Sequence, residues 1–324
     1  MKKITSEKIK RKLREKFVRH FRFKNCYYDL YSSYRKAKNK DINNASEKCV
    51  AYLAARPNPG AGIGHQLANW IAGYWYAKKF DINFAHIPFS NPEWEEFFGF
   101  YQNEKSIFEL QNTGYKIVRI PIFDENNSNE VDKIRRIISF YKDKKVILLA
   151  EQDQFYGDQY GVLSDIQDKF YSASARENEK LVYDPTACNI AIHVRRGDIV
   201  QSGRKENPNL TMRFQGNDYF VKALSVALTM ANSSNIQIYL FSQGKEEDFS
   251  EFSKFDNLHF CLDMDAKSSF LHMVYADILV TSKSSFSYKP ALLNKGLKIC
   301  PRNFWHGYPE NSNWVLLDDE GDVI

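Results

Sequence analysis

The sequence predicts an α/β protein in which parallel sheets are covered by helices. Short apolar runs typical of buried strands alternate along the chain with longer segments of helical periodicity, as in repeated βα units. Several of these runs pass directly into loops rich in Gly, Ser or charged residues, after which a helix begins. At 324 residues the chain is long enough for two domains that each bury a core.

The first predicted βα unit has a strand at 48–55, a loop rich in Gly and Pro at 56–65, and a helix at 66–80. Further strands are predicted at 82–87, 115–120, 145–150, 188–194, 236–242, 258–262, 277–282 and 298–300. Further helices are predicted at 92–98, 131–141, 218–230, 245–254, 268–275 and 286–294. The polar stretch 172–185 is the best candidate for a linker. We therefore expect Rossmann-like domains at 46–180 and 181–324, after a basic N-terminal extension at 1–45.

Positive charge is concentrated at the N-terminus. Residues 1–40 contain fifteen Lys and Arg against three Asp and Glu, whereas the rest of the chain is net acidic and the whole carries +5. Apolar residues recur roughly every three or four positions between these charges, which predicts a basic amphipathic helix; they are Ile9, Leu13, Phe17, Phe21 and Tyr28. Our hypothesis is that this helix binds an anionic membrane surface. The alternatives are a solvated helix docked on the body through its apolar stripe and a nucleic-acid arm, and the acidic body makes us expect no nucleic-acid partner.

The amino-acid composition limits which classes of protein this chain can belong to. With 43% hydrophobic and 26% charged residues, and no stretch near the roughly 18 apolar residues of a membrane span, we expect a soluble protein. The N-terminus lacks the apolar core of a signal peptide, which favours a cytoplasmic location. The cysteines are odd in number and scattered, which favours reduced thiols and predicts no metal site; they are Cys26, Cys49, Cys188, Cys261 and Cys300.

The most informative motif is His193-Val194-Arg195-Arg196-Gly197-Asp198, which follows an apolar strand. Ligands of open α/β sheets bind at the carboxyl ends of the strands, so two guanidinium groups there are placed to bind a phosphate or diphosphate. A structural salt bridge between Asp198 and Arg195 or Arg196 is the alternative.

A glycine loop lies between the first strand and its helix. Gly60, Gly62 and Gly64 would let backbone approach a ligand, and the helix N-terminus that follows favours negative charge. Cofactor-binding Rossmann units also need an acidic residue at the end of the next strand, but that strand ends in Ala-His-Ile-Pro, which counts against NAD and S-adenosylmethionine. His65, with Gln66 beside it, could accept a proton from an attacking hydroxyl or merely hydrogen-bond the loop.

Serine-rich loops follow two later strands. Ser242 with Gln243 and Gly244 could line a nucleotide site or form a simple turn. The run Ser284-Ser285-Phe286-Ser287 opens a helix, where hydroxyls and free N–H groups suit a phosphate, and plain N-capping is the alternative.

Together these motifs resemble the GDP-fucose-dependent fucosyltransferase superfamily, which comprises α-1,2-, α-1,6- and protein O-fucosyltransferases. The similarity is greatest to the α-1,2 group and extends over residues 48–305. It is carried by GIGHQL at 62–67, HVRRGD at 193–198, YLFS at 239–242, ADILV at 276–280 and SSFS at 284–287. The resemblance implies a GT-B-like fold, in which two Rossmann-like domains face across a cleft and the C-terminal one binds the donor.

The resemblance also implies roles for individual residues. Arg195 would bind the β-phosphate of GDP-fucose, supported by Arg196, His193 and Ser242, and Asp198 would hold the loop. Ser284, Ser285 and Phe286 would close around the diphosphate and ribose, while Asp265, or Asp263, would recognise the guanine. The acceptor, an oligosaccharide or lipid-linked glycan, would enter beside Gly62, Gly64, His65 and Gln66. The implied reaction is an inverting, metal-independent transfer of L-fucose to a sugar hydroxyl, α-1,2 to galactose, with no cofactor beyond the donor.

The chain departs from the α-1,2 pattern at three positions. His65 replaces an asparagine, Gln243-Gly244 replaces an acidic pair, and Tyr288-Lys289 replaces two tryptophans. These changes affect acceptor identity more than donor binding. Two alternatives stay open: a Rossmann-type methyltransferase or dehydrogenase, and a non-catalytic protein that binds a nucleotide or glycan.

Overall fold

The computed structural model describes residues 6–38, 50–58, 60–151, 156–197, 199, 212–262 and 264–324. Its α-helices, in chain order, are α1 (Ser6–Phe21), α2 (Tyr27–Lys38), α3 (Ile63–Lys79), α4 (Pro92–Phe98), α5 (Ile107–Asn112), α6 (Ser128–Tyr141), α7 (Leu163–Ser172), α8 (Asn217–Met230), α9 (Ala266–Tyr275) and α10 (Ser285–Leu293). Its strands are β1 (Tyr52–Ala55), β2 (Asn83–His86), β3 (Lys105–Ser106), β4 (Lys116–Arg119), β5 (Val146–Ala150), β6 (Cys188–His193), β7 (Ile236–Phe241), β8 (Leu258–Cys261), β9 (Ile278–Val280), β10 (Leu297–Pro301) and β11 (Trp314–Leu317). Short 3-10 helices lie at Ser174–Asn178 and Glu246–Phe252.

The predicted α/β class is confirmed by two parallel sheets. The first sheet has the strand order β3-β2-β1-β5-β4 and the second has the order β11-β10-β9-β6-β7-β8. Every pair of neighbouring strands within these sheets is parallel. Parallel strands need crossover connections, and the alternation of strands and helices in the sequence supplies them.

The chain forms two compact units, whose limits differ from the predicted domain boundaries. The first unit comprises 1–59, 68–88 and 103–156, and the second comprises 60–67, 89–102 and 157–324. The basic N-terminal segment therefore belongs to the first unit rather than to a separate extension. The glycine loop and α4 belong to the second unit, because their long-range contacts are made there.

The core of the second unit lies under β6. Ile190 and Ile192 of β6 are fully buried together with Phe220 of α8 and Phe249 and Phe252 of the second 3-10 helix. Burial on both faces explains why β6 is an almost continuous apolar run in the sequence. The same burial fixes the position of the polar motif that follows the strand.

The predicted elements agree with the structure except at short or irregular segments. The strands β3 and β11 and the helices α5 and α7 were not expected; β3 has only two residues, and β11 lies at a sheet edge. The segment predicted as a helix at 245–254 is a 3-10 helix at Glu246–Phe252, in which Phe249 has non-helical backbone angles. The polar stretch predicted as a linker opens with a 3-10 helix held by Arg176, which pairs with Glu179 at 2.7 Å and donates to the Phe97 carbonyl.

The N-terminal segment forms two helices that are attached to the first unit. Arg22 donates two hydrogen bonds to the Glu130 carboxylate, at 3.0 and 2.7 Å, and the Tyr28 hydroxyl donates to the same carboxylate at 2.7 Å. Tyr27 and Tyr31 are buried. The segment is therefore docked on the body, as one alternative expected, but Ile9 and Leu13 of the apolar stripe are exposed rather than packed. None of the described helices combines the length and apolar character needed to cross a membrane.

Candidate active site

The arginine motif follows β6, which lies between β9 and β7 in the second sheet. The Val194 N–H donates to the Phe241 carbonyl at 3.0 Å, and the Ser242 hydroxyl donates to the Val194 carbonyl at 2.7 Å. These bonds join the ends of β6 and β7, so the motif begins at the carboxyl edge of the sheet, where α/β proteins bind ligands. Ser242, predicted to contact the donor, here holds this strand end in place.

His193 connects the arginine motif to the serine motif. Its Nδ1 lies 2.8 Å from the Ser282 hydroxyl, and its ring centroid lies 5.5 Å from that of Phe286. Burial, together with the charges of Arg195 and Arg196, lowers the pKa of His193 to about 3. His193 is therefore a neutral hydrogen-bonding group at this site and adds no positive charge to it.

The neighbouring arginines have different surroundings. The Arg196 guanidinium donates to the carbonyls of Arg195 and Gln215, at 2.9 and 3.0 Å, and to the Asn217 side chain. It also lies 4.9 Å from the centre of the Phe214 ring. Arg196 thus holds the segment that leads into α8, and Arg195 is half-buried. Asp198 lies outside the described residues.

The serine motif is built around the start of α10. The Ser284 hydroxyl accepts a hydrogen bond from the Phe286 N–H at 3.2 Å and caps the helix, as the alternative interpretation expected. The Ser287 hydroxyl lies 3.2 Å from that of Ser282. A continuous hydrogen-bonded chain therefore runs from His193 through Ser282 to Ser287.

The glycine loop packs directly against the serine motif. A Cβ added to Gly64 would lie 2.8 Å from Ser285 Cβ and 2.9 Å from the Ser285 carbonyl carbon and oxygen. Glycine is required at this position because no side chain fits between the two segments. This contact brings the start of α3, and with it His65, to the start of α10.

Gln66 and His65 differ in what they can offer a ligand. The Gln66 amide donates to the Ala61 carbonyl and the Ser90 hydroxyl, at 2.9 and 2.7 Å, and its oxygen accepts from the Ser90 N–H at 2.9 Å. Gln66 therefore shapes the loop. His65 is half-buried, and burial together with the charges of Arg213 and Lys289 lowers the pKa of its imidazole.

The Asp265 carboxylate caps α9. It accepts from the N–H groups of Lys267 and Ser268, at 2.9 and 3.1 Å, and from the Ser268 hydroxyl at 2.6 Å. The Ser268 hydroxyl and these N–H groups lower the pKa of Asp265 despite its partial burial. The contact of Asp265 with guanine stays a prediction. The hydrogen bonds from Lys267 and Ser268 occupy the Asp265 carboxylate and make that contact less favourable. Asp263 lies outside the described residues.

Gly197 is confined by Gln243. Its φ is +69°, in the left-handed region, and an added Cβ would overlap the Gln243 side chain. The loop after β6 therefore depends on glycine at this position. Gln243, one of the departures from the α-1,2 pattern, lies against the arginine motif.

Lys289, His306 and Arg213 of the second unit were not among the predicted site residues. Lys289 is 1% exposed in α10, and its Nζ donates to the Gln159 side chain at 2.7 Å. Its neighbour Tyr288 stacks on the His306 ring with centroids 5.1 Å apart. Arg213 has its guanidinium carbon 4.9 Å from the centre of the Trp305 ring. A lysine inside the apolar run Ser-Tyr-Lys-Pro-Ala-Leu-Leu was the one signal available for this group.

Among the residues described, no cluster of His, Cys, Asp or Glu has the arrangement of a metal site.

No protein-family model matches the sequence, and the comparison with curated proteins also gives no match. Among solved structures, the chain is similar to the α-1,6-fucosyltransferase NodZ soaked with GDP-fucose, at 12% identity and a TM-score of 0.42 over 76% of this chain and 92% of that chain. It is similar to POFUT1 in complex with GDP, at 13% identity and a TM-score of 0.45 over 78% and 97% of the two chains. It is also similar to a fucosyltransferase NodZ from Bradyrhizobium, at 13% identity and a TM-score of 0.40 over 76% and 93%. Likenesses of this size do not assign an activity to this chain.

Proposed function

We propose that this protein is a glycosyltransferase that transfers L-fucose from GDP-fucose to a hydroxyl of a glycan acceptor. One observation supports the proposal most strongly: segments far apart in sequence meet at the carboxyl end of β6. His193 bonds to Ser282 at 2.8 Å, and Ser285 packs against Gly64. The arginine motif, the serine motif and the glycine loop that carry the resemblance therefore belong to one constellation.

In this proposal Arg195 stabilises the departing GDP. Breaking the bond to fucose leaves negative charge on the β-phosphate while the sugar carbon becomes positively charged. The Arg195 guanidinium and the positive end of the α10 dipole stabilise the charge on the phosphate. The neutral His193 and the Ser282–Ser287 chain hold this region in place. This charge stabilisation would make a divalent metal ion unnecessary.

His65 is the proposed general base. The acceptor hydroxyl must lose a proton as its oxygen attacks the fucosyl carbon from the side opposite GDP, which inverts the configuration. A histidine whose pKa is below its ordinary value is unprotonated at neutral pH and can accept that proton. The α-1,2 linkage to galactose is proposed from the motif resemblance alone.

A donor panel tests the proposed function. The full chain is incubated with GDP-fucose, GDP-mannose and UDP-sugars, each with and without EDTA, and released nucleotide and glycosylated product are measured. We expect release of GDP from GDP-fucose that survives EDTA. Binding of GDP with no turnover of any donor would instead identify a non-catalytic nucleotide-binding protein, and EDTA-sensitive transfer would contradict the role given to Arg195.

A second proposal concerns location: we propose that α1 attaches the protein to the anionic inner face of a membrane. Its exposed surface combines Ile9 and Leu13, which are 50% and 62% exposed, with the exposed Lys12, Lys16 and Arg19. Apolar side chains can enter the interface while each basic residue gains about 1 kcal/mol near anionic lipid. The segment is attached to the first unit just after α1, through the ion pair of Arg22 with Glu130.

Liposome flotation tests the attachment. We expect the full chain to float with vesicles containing phosphatidylserine, and Lys12→Glu with Lys16→Glu to abolish this because the helix surface becomes acidic. Lys105→Glu with Lys116→Glu is the matched control, since both lysines are exposed on β3 and β4. Equal flotation of the two double variants, or flotation with neutral vesicles alone, would contradict the proposal.

A further inference from the structure

Arginines also gather at the carboxyl edge of the first sheet. Arg56 directly follows β1, Glu151 directly follows β5, and Arg119 is the last residue of β4. These three strands are neighbours, in the order β1-β5-β4. Because the carboxyl edge of an open parallel sheet is where α/β proteins bind ligands, this position is a candidate for a ligand site of the first unit.

The strand register brings these side chains together. β1 and β5 pair in register up to their last residues, and the Arg56 N–H donates to the Ala150 carbonyl at 3.2 Å, so Arg56 and Glu151 occupy neighbouring positions. Arg119 is aligned with Leu149, which lies two residues before Glu151 and so on the same face of the strand. The ion pair between Arg119 Nε and Glu151 Oε1, at 2.8 Å, agrees with this alignment.

The basic N-terminal segment adds two further arginines to this group. Arg14 of α1 forms an ion pair with Glu151, with 3.2 Å between Nη1 and Oε2. Arg35 of α2 donates from Nη2 to the Tyr31 hydroxyl at 3.1 Å, and that hydroxyl donates to the carbonyl of Ile120, directly after β4, at 3.3 Å. The charged side chains that these contacts bring together are therefore four arginines and one glutamate.

Positive charge exceeds negative charge in this group. Glu151 is 7% exposed and pairs with both Arg14 and Arg119, so its carboxylate balances one of the four guanidinium charges. Within the described part of the chain, neither Arg35 nor Arg56 forms an ion pair. The pKa of Arg119 is lowered by burial and by the charges of the other three arginines, although Glu151 opposes this shift. An arginine nevertheless stays protonated at neutral pH, so the excess positive charge remains.

The group is partly open to solvent. The side chains of Arg119 and Arg14 are 32% and 20% exposed, and Arg56 is half-buried. Solvent, and with it a small anion, can therefore reach these side chains in the folded protein. Partial burial also makes a charge interaction stronger than it would be on a fully exposed surface, since the local dielectric is lower.

We propose that this arginine group binds the phosphate group of a ligand, with Arg56 and Arg119 as its principal contacts. The planar guanidinium presents paired N–H donors that match the oxygens of a phosphate. A phosphate monoester carries a charge of about −1.5 to −2 at pH 7, which offsets several guanidinium charges better than a single carboxylate can. Glu151 is a positioning residue, because its ion pairs hold the guanidinium groups of Arg14 and Arg119.

This inference goes beyond the proposed transfer of fucose. All residues of the arginine group belong to the first unit, whereas the donor diphosphate is assigned to Arg195 of the second unit. The group also gives the basic N-terminal segment a role in the folded protein, since α1 and α2 supply Arg14 and Arg35 to it.

The test is isothermal titration calorimetry of the full chain at constant ionic strength, which keeps charge screening the same for every probe. The probes are glycerol 3-phosphate, the phosphodiester glycerophosphoglycerol, and acetate. The monoester represents a soluble phosphorylated metabolite, and the diester represents a lipid headgroup, so the tighter of the two identifies the source of the phosphate. We expect at least one of them to bind about tenfold more tightly than acetate.

Variants of Arg56 test the assigned contact. Arg56→Met should weaken phosphate binding about tenfold or more, because one charge-assisted contact is lost, and Arg56→Lys should retain part of the affinity. Arg136→Met removes an exposed arginine of α6 in the same unit and is the matched control, which should bind phosphate as the unchanged protein does. Thermal melts followed by circular dichroism check that each variant is folded.

Combination with Arg195→Ala makes the location specific, because phosphate bound at the proposed donor site then no longer contributes. The Arg195→Ala protein should keep its phosphate affinity, and adding Arg56→Met should remove it. A phosphate affinity that Arg195→Ala abolishes, or that Arg56→Met leaves unchanged in the Arg195→Ala protein, would overturn the inference. Equal affinity for acetate and both phosphate compounds would also overturn it. The titration contains no GDP-fucose, so its result is independent of whether the protein transfers fucose.

Discussion

At the scale of single residues, the hydrogen bonds of Arg196 give one of the two adjacent arginines a structural role. Arg196 donates to two carbonyls and to Asn217, and so stabilises the segment before α8. Arg195 is half-buried at the end of the central strand β6, beside the neutral His193. Our proposal assigns the contact with the diphosphate to Arg195 because the motif resemblance implies it.

Replacement of Arg195 should primarily affect the chemical step. We expect Arg195→Ala to lose activity by tenfold or more, because an interaction worth about 1.5–3 kcal/mol that strengthens in the transition state is removed. Arg195→Lys should rescue little, since an ammonium group lacks the planar pair of donors. Initial rates with GDP-fucose measure both effects.

The matched variant is Arg196→Met, which should lower the melting temperature because it removes three hydrogen bonds of the folded chain. Full transfer activity in Arg195→Ala would refute the role given to that residue.

The pH dependence of transfer should report on His65. Its folded-state pKa lies below the ordinary value of 6.5 because of burial and the charges of Arg213 and Lys289. A base must be unprotonated, so activity should fall as the pH decreases through that value, and the decline should lie below pH 6.5.

The variant His65→Gln should lose this acid limb together with most of the rate. His259→Gln, at an exposed histidine of the same unit, serves as the control and should leave the limb in place. A pH–rate profile that is unchanged in His65→Gln would remove His65 from the mechanism.

At the scale of elements, the junction of α3 and α10 holds the proposed site together. Gly64 in the first turn of α3 contacts Ser285 in the first turn of α10, so two helix N-termini meet there. The positive end of each helix dipole favours anions. The two helices can approach this closely because Gly64 has no side chain.

Widening this junction should destabilise the second unit. In Gly64→Ala the new methyl group would lie 2.8–2.9 Å from Ser285 atoms that include backbone, so the two helices must move apart. Such overpacking costs about 1–3 kcal/mol. We expect a lower melting temperature by calorimetry and a loss of transfer activity.

Gly62→Ala is the matched control, because no atom lies within 4 Å of a Cβ at that position. If both alanine variants melted at the temperature of the unchanged protein, the close packing of this junction would be contradicted.

At the scale of the whole molecule, each unit has its own parallel sheet and its own core, and buried histidines make the second unit sensitive to acid. Burial, with nearby positive charge, lowers the pKa of both His193 and His306 to about 3. In the unfolded chain a histidine titrates near 6.5. Between these values the unfolded state binds more protons, so the folded state loses stability as the pH falls.

The free energy of unfolding should therefore decrease when the pH is lowered from 7.5 to 5. Carboxylates such as Glu130, whose pKa is lowered, remain ionised over this pH range. Each such histidine contributes up to about 1.4 kcal/mol per pH unit below 6.5. Urea unfolding at several pH values measures the slope. His306→Gln should reduce the slope of stability against pH, whereas His20→Gln, at an exposed histidine, should leave it unchanged. Equal slopes in the unchanged protein and both variants would contradict the argument.

The sequence by itself determined the α/β class, most element positions and the location of the arginine and serine motifs. These features follow from local patterns: buried parallel strands such as β6 are apolar runs, and caps such as Ser284 and Asp265 lie next to the helices they start. Such signals are contained within a few residues.

Only the tertiary structure decided which partners several of these residues have in the folded protein. Gly64 against Ser285, Arg196 on Gln215, and Lys289 buried on Gln159 are contacts between residues distant in sequence. The edge strands β3 and β11 likewise exist because a neighbouring strand offers free backbone groups. Such contacts depend on how the chain packs in three dimensions, so no local pattern of residues predicts them.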